Sequence, residues 1–205
     1  MLVWSGARID KMSKSLRTKQ SAMKKMIHIS GNRRNKQVFS TPWFSVITEP
    51  CREKDSKPYY VIEVPDSVVI LAVTPDDEMI LVRQYRQPLR AYSIELPAGY
   101  VDKNESNLKA AKRELKEETG YCCRKLIYQG VLRVFPSRVR YRIHCYFGIM
   151  AEKKESFHEQ GTEPLVVARN TFEKWIRNGK VVSATCIAQY FLAKSNNFYG
   201  ARVKS

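Results

Sequence analysis

The chain has 205 residues, of which 43% are hydrophobic and 27% charged, and its formal net charge is +16. This composition excludes fibrous and wholly disordered proteins, and no apolar run reaches the roughly 18 residues of a transmembrane helix, so we expect no membrane partner. The length predicts one core-forming domain with an appendage. Five cysteines without paired spacing indicate reduced thiols rather than a disulfide framework, and therefore a cytoplasmic protein.

The positive charge is concentrated in residues 1–36, which hold ten lysines and arginines against one acid, Asp10. Because this segment is rich in Ser and Lys and has little hydrophobic periodicity, it is predicted to be a basic, disordered tail. Two alternatives remain open. Its composition suits a mitochondrial transit peptide, although no clean amphipathic helix is visible. A basic arm also binds nucleic acid, although no aromatic residues are interleaved with the charges, so a nucleic-acid partner is not favoured.

Strand patterns begin at residue 37. QVFSTPWFSVITEP and PYYVIEV, joined by a polar stretch, predict antiparallel strands over residues 37–65. SVVILAV and MILVRQY, separated by the turn TPDDE, predict two adjacent strands of a buried sheet. YSIEL predicts a further short strand, which Pro97 and Gly99 close.

One helix is predicted from about Ser106 to Thr119. Asn104 or Ser106 is its expected N-cap, and Gly120 is its expected C-terminal stop. Its apolar stripe is predicted from three residues at spacings of three and four: Leu108, Ala111 and Leu115.

The remaining chain predicts strands followed by helices. KLIYQGVLRVF and YRIHCYFGIM predict two strands, AEKKESFHEQGTE a polar loop, and PLVVA a short strand. TFEKWIRNG and ATCIAQYFLAK predict two closing helices, the first capped by Thr171 and stopped by Gly179. This order predicts a layered α/β domain over residues 66–197, with residues 198–205 as a tail.

The predicted helix carries three glutamates within five residues: Glu114, Glu117 and Glu118. Glu114 shares a helix face with both others, and such like-charge pairs oppose helix formation. A carboxylate face becomes favourable over a divalent cation, and Mg²⁺ prefers oxygen ligands together with phosphate oxygens of a substrate. The loop LPAGYVD beside the helix offers backbone carbonyls, and Gly99 allows close approach. The alternative is a solvated acidic face that pairs with neighbouring lysines and arginines.

A longer pattern surrounds these glutamates. Gly99 is followed after five residues by Glu105, and after seven more by RELKEETGY, residues 113–121. In this pattern the chain resembles the Nudix hydrolases over most of residues 37–195, with Tyr121 where the family usually has Ile, Leu or Val. VRQYRQP followed by ELPAG, and the later FEKWIRNGKVVSATCIA, are similar to the branch that hydrolyses ADP-ribose and other nucleoside diphosphate (NDP) sugars. Pro136 matches that branch's downstream proline, whereas FPSRVRYR departs from its usual Ser-Pro-Gly.

The resemblance implies a Nudix α/β/α sandwich with a mixed central sheet, plus an N-terminal antiparallel sheet that often packs across a homodimer. It implies a metal-dependent pyrophosphohydrolase, using Mg²⁺ or Mn²⁺, that cleaves ADP-ribose or a related NDP-sugar to a nucleoside monophosphate and a sugar phosphate. GDP-mannose or a diadenosine polyphosphate is the alternative substrate within the family. From another class, an RNA-binding or RNA 5′-end-processing protein would use the basic tail and a strand with Arg138, Arg140 and Arg142. The complete metal motif argues against pure binding, and the NDP-sugar flanks argue against RNA ends.

The family's metal-binding roles carry over onto this sequence. The resemblance implies that Glu114 and Glu118 hold the metal, assisted by Glu117 and by the backbone carbonyl of Ala98. Arg113 would pair with carboxylates beside the site and fix their geometry. The expected partner of Arg113 is Glu105.

The substrate-binding and base roles are distributed over the flanking segments. Arg86 is expected on phosphate and Glu95 on ribose or base, with Arg83 a weaker candidate. Trp43 is a candidate for stacking on the base, and Arg138, alternating with Arg140 and Arg142, for contacting phosphates. The candidate general bases lie in the polar loop, Glu163 being preferred and Glu159 second, with Glu114 or Glu117 as the alternative water-activating group.

Overall fold

The computed structural model of the protein describes residues 35–50, 57–155, 159–196 and 198. The predicted basic tail therefore lies outside the described residues except for its last two positions, and residues 199–205 also lie outside them. The strands are β1 Lys36–Ser40, β2 Ser45–Glu49, β3 Tyr59–Glu63, β4 Ser67–Val73, β5 Glu78–Arg86, β6 Ala91–Glu95, β7 Ala98–Tyr100, β8 Tyr121–Leu132, β9 Val139–Arg140, β10 Ile143–Lys153 and β11 Thr162–Ala168. The helices are α1 Asn107–Thr119, α2 Arg169–Arg177 and α3 Ala184–Ser195.

The centre of the molecule is a seven-stranded sheet in the order β11-β5-β4-β10-β8, with β6 paired to β5 and β7 paired to β4. β10 is parallel to β4 and the remaining pairs are antiparallel, so the sheet is mixed. All seven residues of β4 are buried. This matches the continuous apolar run of its sequence, which is typical of a strand covered on both faces.

Helices cover both faces of the central sheet. Val68, Ile70 and Ala72 of β4 pack in one apolar cluster with Ala111 and Leu115 of α1. The alternate residues of β4 pack in a second cluster with side chains of α2 and α3. Because side chains alternate along a strand, the two clusters lie on opposite faces. The predicted α/β/α sandwich with a mixed central sheet is confirmed.

The N-terminal sheet has the order β1-β2-β3-β9. The predicted antiparallel pair is β2 with β3, and β1 adds a further antiparallel strand. β9 is only two residues long and is parallel to β3, so the expected strand with three alternating arginines does not form. The ends of β3 and β9 place this small sheet beside the start of β4.

Helix α1 is fixed by local signals at both ends. The Ser106 side chain caps the helix by accepting the Lys109 N–H, and Gly120 ends it with φ = 73°, in the left-handed region that favours glycine. The apolar stripe differs from the prediction at Leu108, which is 42% exposed. Ala110 is fully buried instead, because the helix contacts the sheet through small residues.

Other boundaries also differ from the predictions. Helix α2 begins at Arg169 with Ala168 as its N-cap, so Thr171 lies inside the helix and does not cap it. The predicted polar loop is shorter, because β10 extends to Lys153 and β11 begins at Thr162. Phe198, placed by sequence in the C-terminal tail, is buried and stacks on Phe147 at a ring-centroid distance of 4.8 Å. In the described part of the chain, no helix is long and apolar enough to cross a membrane.

Candidate active site

Two of the three predicted carboxylates on α1 are buried. Glu114 and Glu118 are 8% and 5% exposed, whereas Glu117 is exposed. The Ala98 N–H donates to Glu118 Oε2 at 2.9 Å. Burial raises the pKa of Glu118 to about 8, and the nearby charges of Glu114 and Glu159 raise it further. The face of α1 that meets β7 is therefore acidic and poorly solvated.

Gly99 of β7 lies directly against Glu114. A β-carbon at Gly99 would lie closer than 3.0 Å to Cδ and both carboxylate oxygens of Glu114. Only glycine therefore allows this carboxylate to rest on the strand backbone. Burial raises the pKa of Glu114 above its ordinary value, while the hydrogen bond from Arg113 lowers it.

Arg113 forms hydrogen bonds with three of the carboxylates at the candidate site. Its guanidinium donates through Nε and Nη2 to Glu105 at 3.1 and 2.9 Å, and through Nη1 to Glu114 at 2.7 Å and Glu117 at 3.1 Å. Nη2 also donates to the Tyr100 carbonyl at 2.9 Å. The hydrogen bond to Glu105, followed by those to the helix glutamates, raises the pKa of Arg113 above its ordinary value. The guanidinium therefore holds Glu105, Glu114 and Glu117 in one fixed arrangement.

Arg86 and Glu95, the two predicted substrate groups, are paired with each other. Arg86 donates to Glu95 through Nε at 2.9 Å and through Nη2 at 2.6 Å. Burial alone would raise the pKa of Glu95, but the hydrogen bond and charge of Arg86 lower it below its ordinary value. The charge of Glu118 also raises the pKa of Arg86, so this pair lies within electrostatic reach of the α1 carboxylates.

Residues 95–99, which we call the 95–99 segment, join these two groups of side chains. Glu95 contributes its carboxylate to Arg86, Ala98 donates its N–H to Glu118, and Gly99 makes room for Glu114. The Ala98 N–H, rather than its carbonyl, is the group that contacts the helix carboxylates. The candidate active site is thus built around one short connection between β6 and α1.

Arg83 and Glu163 lie on the opposite face of the central sheet. They are paired across β5 and β11, and Arg83 Nη1 is 2.7 Å from Glu163 Oε2. Their neighbours two residues away, Leu81 and Leu165, belong to the cluster under α2 and α3. Since residues two apart on a strand share a face, Arg83 and Glu163 point away from α1. The structure does not bring Glu163, the preferred candidate base, to the helix carboxylates.

Glu159 is instead held at the C-terminal end of α1. Its N–H donates to the Glu117 carbonyl at 2.7 Å, and its charge raises the pKa of both Glu114 and Glu118. The Thr162 hydroxyl lies 2.7 Å from the Glu159 carbonyl and 3.3 Å from the Glu118 carbonyl. A cavity of about 820 Å³ opens beside this turn, between α1 and β8. The second candidate base is therefore the one beside the acidic face.

The remaining predicted substrate residues lie around the N-terminal sheet. Trp43 is 63% exposed and lines a cavity of about 610 Å³ near the start of β4. The guanidinium of Arg138 stacks on the Tyr59 ring at 4.1 Å. Arg140 pairs with Glu49 and Glu63, and Arg142 pairs with Asp66. Two of these three arginines are thus paired with carboxylates.

The donor set around α1 fits a hard divalent cation. Glu114 and Glu118 place carboxylate oxygens in a poorly solvated site, and their raised pKa values indicate that a neighbouring positive charge would stabilise the ionised forms. Among the residues that the structure describes, no three ligating side chains are grouped closely enough to hold a metal ion. Arg113 holds the carboxylates of both Glu114 and Glu117 in this arrangement.

Two contacts of the site were not predicted from the sequence. Thr162 joins Glu159 to the last turn of α1, and Cys186 of α3 accepts the Leu96 N–H at 3.1 Å. The sequence holds no local signal for either contact, because each partner is remote along the chain. Only the pairing of β11 with β5 and the packing of α3 on the sheet bring them together.

Known proteins resemble this chain in sequence and in fold. A family profile described as "NUDIX domain" matches residues 64–181. The ADP-ribose pyrophosphatase of Bacillus subtilis (strain 168) is 30% identical over 128 residues, which cover 60% of this chain and 69% of that protein. The methanol dehydrogenase activator of Bacillus methanolicus is 34% identical over 96 residues, covering 47% of this chain and 52% of the activator. A crystal structure of an ADP compounds hydrolase shares the fold, with a TM-score of 0.67 at 20% identity over 79% of this chain and 90% of that chain.

Proposed function

Because the chain belongs to the Nudix family, we propose that it hydrolyses the pyrophosphate bond of ADP-ribose or a related NDP-sugar. The products are a nucleoside monophosphate and a sugar phosphate. The observation that carries this proposal is the 95–99 segment, which places the Arg86–Glu95 pair beside the buried Glu114 and Glu118. The similarity to the B. subtilis ADP-ribose pyrophosphatase supports an ADP-sugar as the substrate.

The substrate's diphosphate meets cationic and acidic groups in this site. Arg86 presents a planar guanidinium suited to two phosphate oxygens, and Glu95 is the group that it releases or shares when a phosphate binds. Glu95, freed in part from Arg86, accepts hydroxyl hydrogen bonds from the ribose. The two residues therefore orient the substrate relative to α1.

Glu114 and Glu118 would hold Mg²⁺ or Mn²⁺, with Glu117 and the Ala98 carbonyl as further oxygen donors. When bound, such a cation neutralises phosphate charge, polarises phosphorus and lowers the pKa of an attacking water. Arg113 keeps the glutamates in place from the side of Glu105. Glu159, held at the end of α1, is the carboxylate best placed to take the proton of the attacking water.

A panel hydrolysis assay tests the proposed function. ADP-ribose, GDP-mannose, UDP-glucose, NADH and a diadenosine polyphosphate are each incubated with Mg²⁺ or Mn²⁺, and the products are separated by chromatography. We expect AMP and ribose 5-phosphate from ADP-ribose at the highest kcat/KM of the panel, and no turnover in the matched Glu118→Gln variant. Faster hydrolysis of GDP-mannose or the diadenosine compound would identify that compound as the preferred substrate instead. No hydrolysis of any compound would contradict the proposed reaction.

We further propose a cytoplasmic homodimer that associates through the N-terminal sheet. Phe39, Trp43 and Tyr60 are each more than half exposed on or beside this sheet, which is unusual for large aromatic side chains. Light scattering of the full chain and of a Phe39→Ser/Tyr60→Ser variant tests the assembly, and a monomeric wild-type protein would contradict it.

Fluorescent-fusion imaging tests the proposed cytoplasmic location, and import into mitochondria would favour the transit-peptide alternative.

A further inference from the structure

In the 95–99 segment, the Leu96 N–H is bonded to a side chain and not to the sheet. β6 ends at Glu95, and the following residue, Leu96, is 1% exposed. The chain rejoins the sheet at Pro97, whose carbonyl accepts the Ile70 N–H at 2.9 Å. The Leu96 N–H donates to Cys186 Sγ at 3.1 Å. A buried N–H needs such a partner, because water cannot replace it in the core.

The sulfur atom is itself held in place. Cys186 lies in the first turn of α3, where its N–H donates to the Oγ of Ser183, the residue that caps this helix. Cys186 is 2% exposed, and burial raises its thiol pKa to about 11, so the thiol stays neutral. The hydrogen bond to Leu96 therefore ties the start of α3 to the segment that carries the site.

Residues on both sides of Leu96 along the chain belong to the candidate active site. Glu95, immediately before Leu96, accepts both hydrogen bonds from Arg86. Ala98, two residues after Leu96, donates to Glu118. A shift of the Leu96 backbone would consequently move the substrate-binding carboxylate relative to the acidic face of α1.

We propose that Cys186 is a positioning residue for substrate binding: by accepting the Leu96 N–H, its sulfur sets the position of Glu95 and Arg86 relative to Glu114 and Glu118. This inference rests on the proposed function for its kinetic consequence but not for its structural one. It assigns a role to a buried cysteine that takes no direct part in the reaction. It also makes the first turn of α3 a support of the substrate site.

The test compares two side chains of equal shape, Cys186→Val and Cys186→Thr. Valine removes the acceptor, while the threonine hydroxyl supplies one. We expect Cys186→Val to raise KM for the substrate found in the panel by about tenfold, as for the loss of one buried hydrogen bond, and to change kcat less. Cys186→Thr should keep KM within about twofold of wild type. Equal KM values in the two variants would overturn the proposal.

A matched control is Cys145→Val, since Cys145 is fully buried in the same apolar cluster but its sulfur hydrogen-bonds to the backbone of Ile143 and Leu132 instead of Leu96. It should lose stability without a rise in KM, and a KM as high as that of Cys186→Val would overturn the proposal. Hydrogen exchange of the Leu96 and Ala98 amides supplies a readout independent of activity. Faster exchange in Cys186→Val than in Cys186→Thr supports the proposal even if no substrate is hydrolysed, and equal exchange overturns it.

Discussion

Gly99 and Glu114 are packed so closely that the strand backbone occupies the space a β-carbon would need. The two residues are fifteen positions apart, yet the glycine decides where the carboxylate can rest. The conflict in a larger side chain would fall on the far end of Glu114 and not on backbone, so the glutamate can yield without disrupting the fold.

Gly99→Ala should therefore lower kcat by about 10²-fold or more, because it displaces a carboxylate of the reaction centre, while stability changes little. Steady-state kinetics and urea unfolding measure the two effects. Gly179→Ala is the matched control. Gly179 has φ = 73° and follows α2, which packs on the other face of the sheet from α1, so alanine there strains the backbone and should lower stability with kcat unchanged. A Gly99→Ala enzyme with wild-type kcat would contradict the role given to this contact.

Glu118 predicts a dependence of stability on pH. Its folded-state pKa of about 8 lies above the ordinary value of 4.5, so the fold favours the protonated form. The stabilisation that this confers is complete below the ordinary pKa and is lost as the pH rises through about 8. In metal-free wild type, the free energy of unfolding should fall from about pH 5 to pH 8 more steeply than in Glu118→Gln.

Urea titrations with a chelator at both pH values compare these slopes. Adding Mg²⁺ or Mn²⁺ should raise the stability of wild type at the higher pH but not that of Glu118→Gln, because the ion binds the ionised carboxylate. Parallel pH slopes for the two proteins would show that Glu118 titrates normally. Full turnover by Glu118→Gln at saturating metal would remove the residue from the site.

Glu159 and Glu163, the two candidate bases, lie at different positions relative to α1. Substituting each one separately therefore tests which is the base. Glu159→Gln should lower kcat by about 10²–10⁴-fold, since a general base contributes that much. Glu163→Gln should lower it less than tenfold, because Glu163 pairs with Arg83 on the other face of the sheet. Turnover at saturating substrate and metal decides between them. The reverse order would restore Glu163 as the base, and two mild effects would assign water activation to Glu114 or Glu117.

Arg86 and Arg83 form a similar matched pair on one strand. Each is paired with a glutamate, but they are three residues apart on β5 and therefore point to opposite faces. Arg86→Gln should raise KM by about tenfold or more through the loss of charged hydrogen bonds, and Arg83→Gln by less than about twofold. Initial rates over a range of substrate concentrations give both values. Equal effects would mean that the substrate extends to both faces.

Local signals predicted the elements better than they predicted the site. Ser106 and Gly120 located the ends of α1 because a cap and a left-handed glycine act within one turn. Leu108 misled the prediction of the buried face, because the helix docks through Ala110 and Ala111. Which residues of α1 are buried depends on how closely the helix approaches β4. The periodicity of the sequence does not give that distance.

The faces of Arg83, Glu159 and Glu163 depend on pairing between distant strands. The polar sequence that leads into β11 does not show where the loop ends and the strand begins. The register of β11 with β5 directs Glu163 away from α1. The contact of Cys186 with Leu96 spans 90 residues, so no pattern within a window could reveal it. Sequence therefore indicated which residues carry chemistry, while the assignment of partners required the packed sheet.

The 95–99 segment also constrains how the protein can change during evolution. Each of its positions contacts a different part of the structure: Arg86, α3, β4, Glu118 and Glu114 in turn. Inserting or deleting a single residue would exchange these partners and misalign all later ones. We expect this connection to keep its length among related sequences even where its side chains vary.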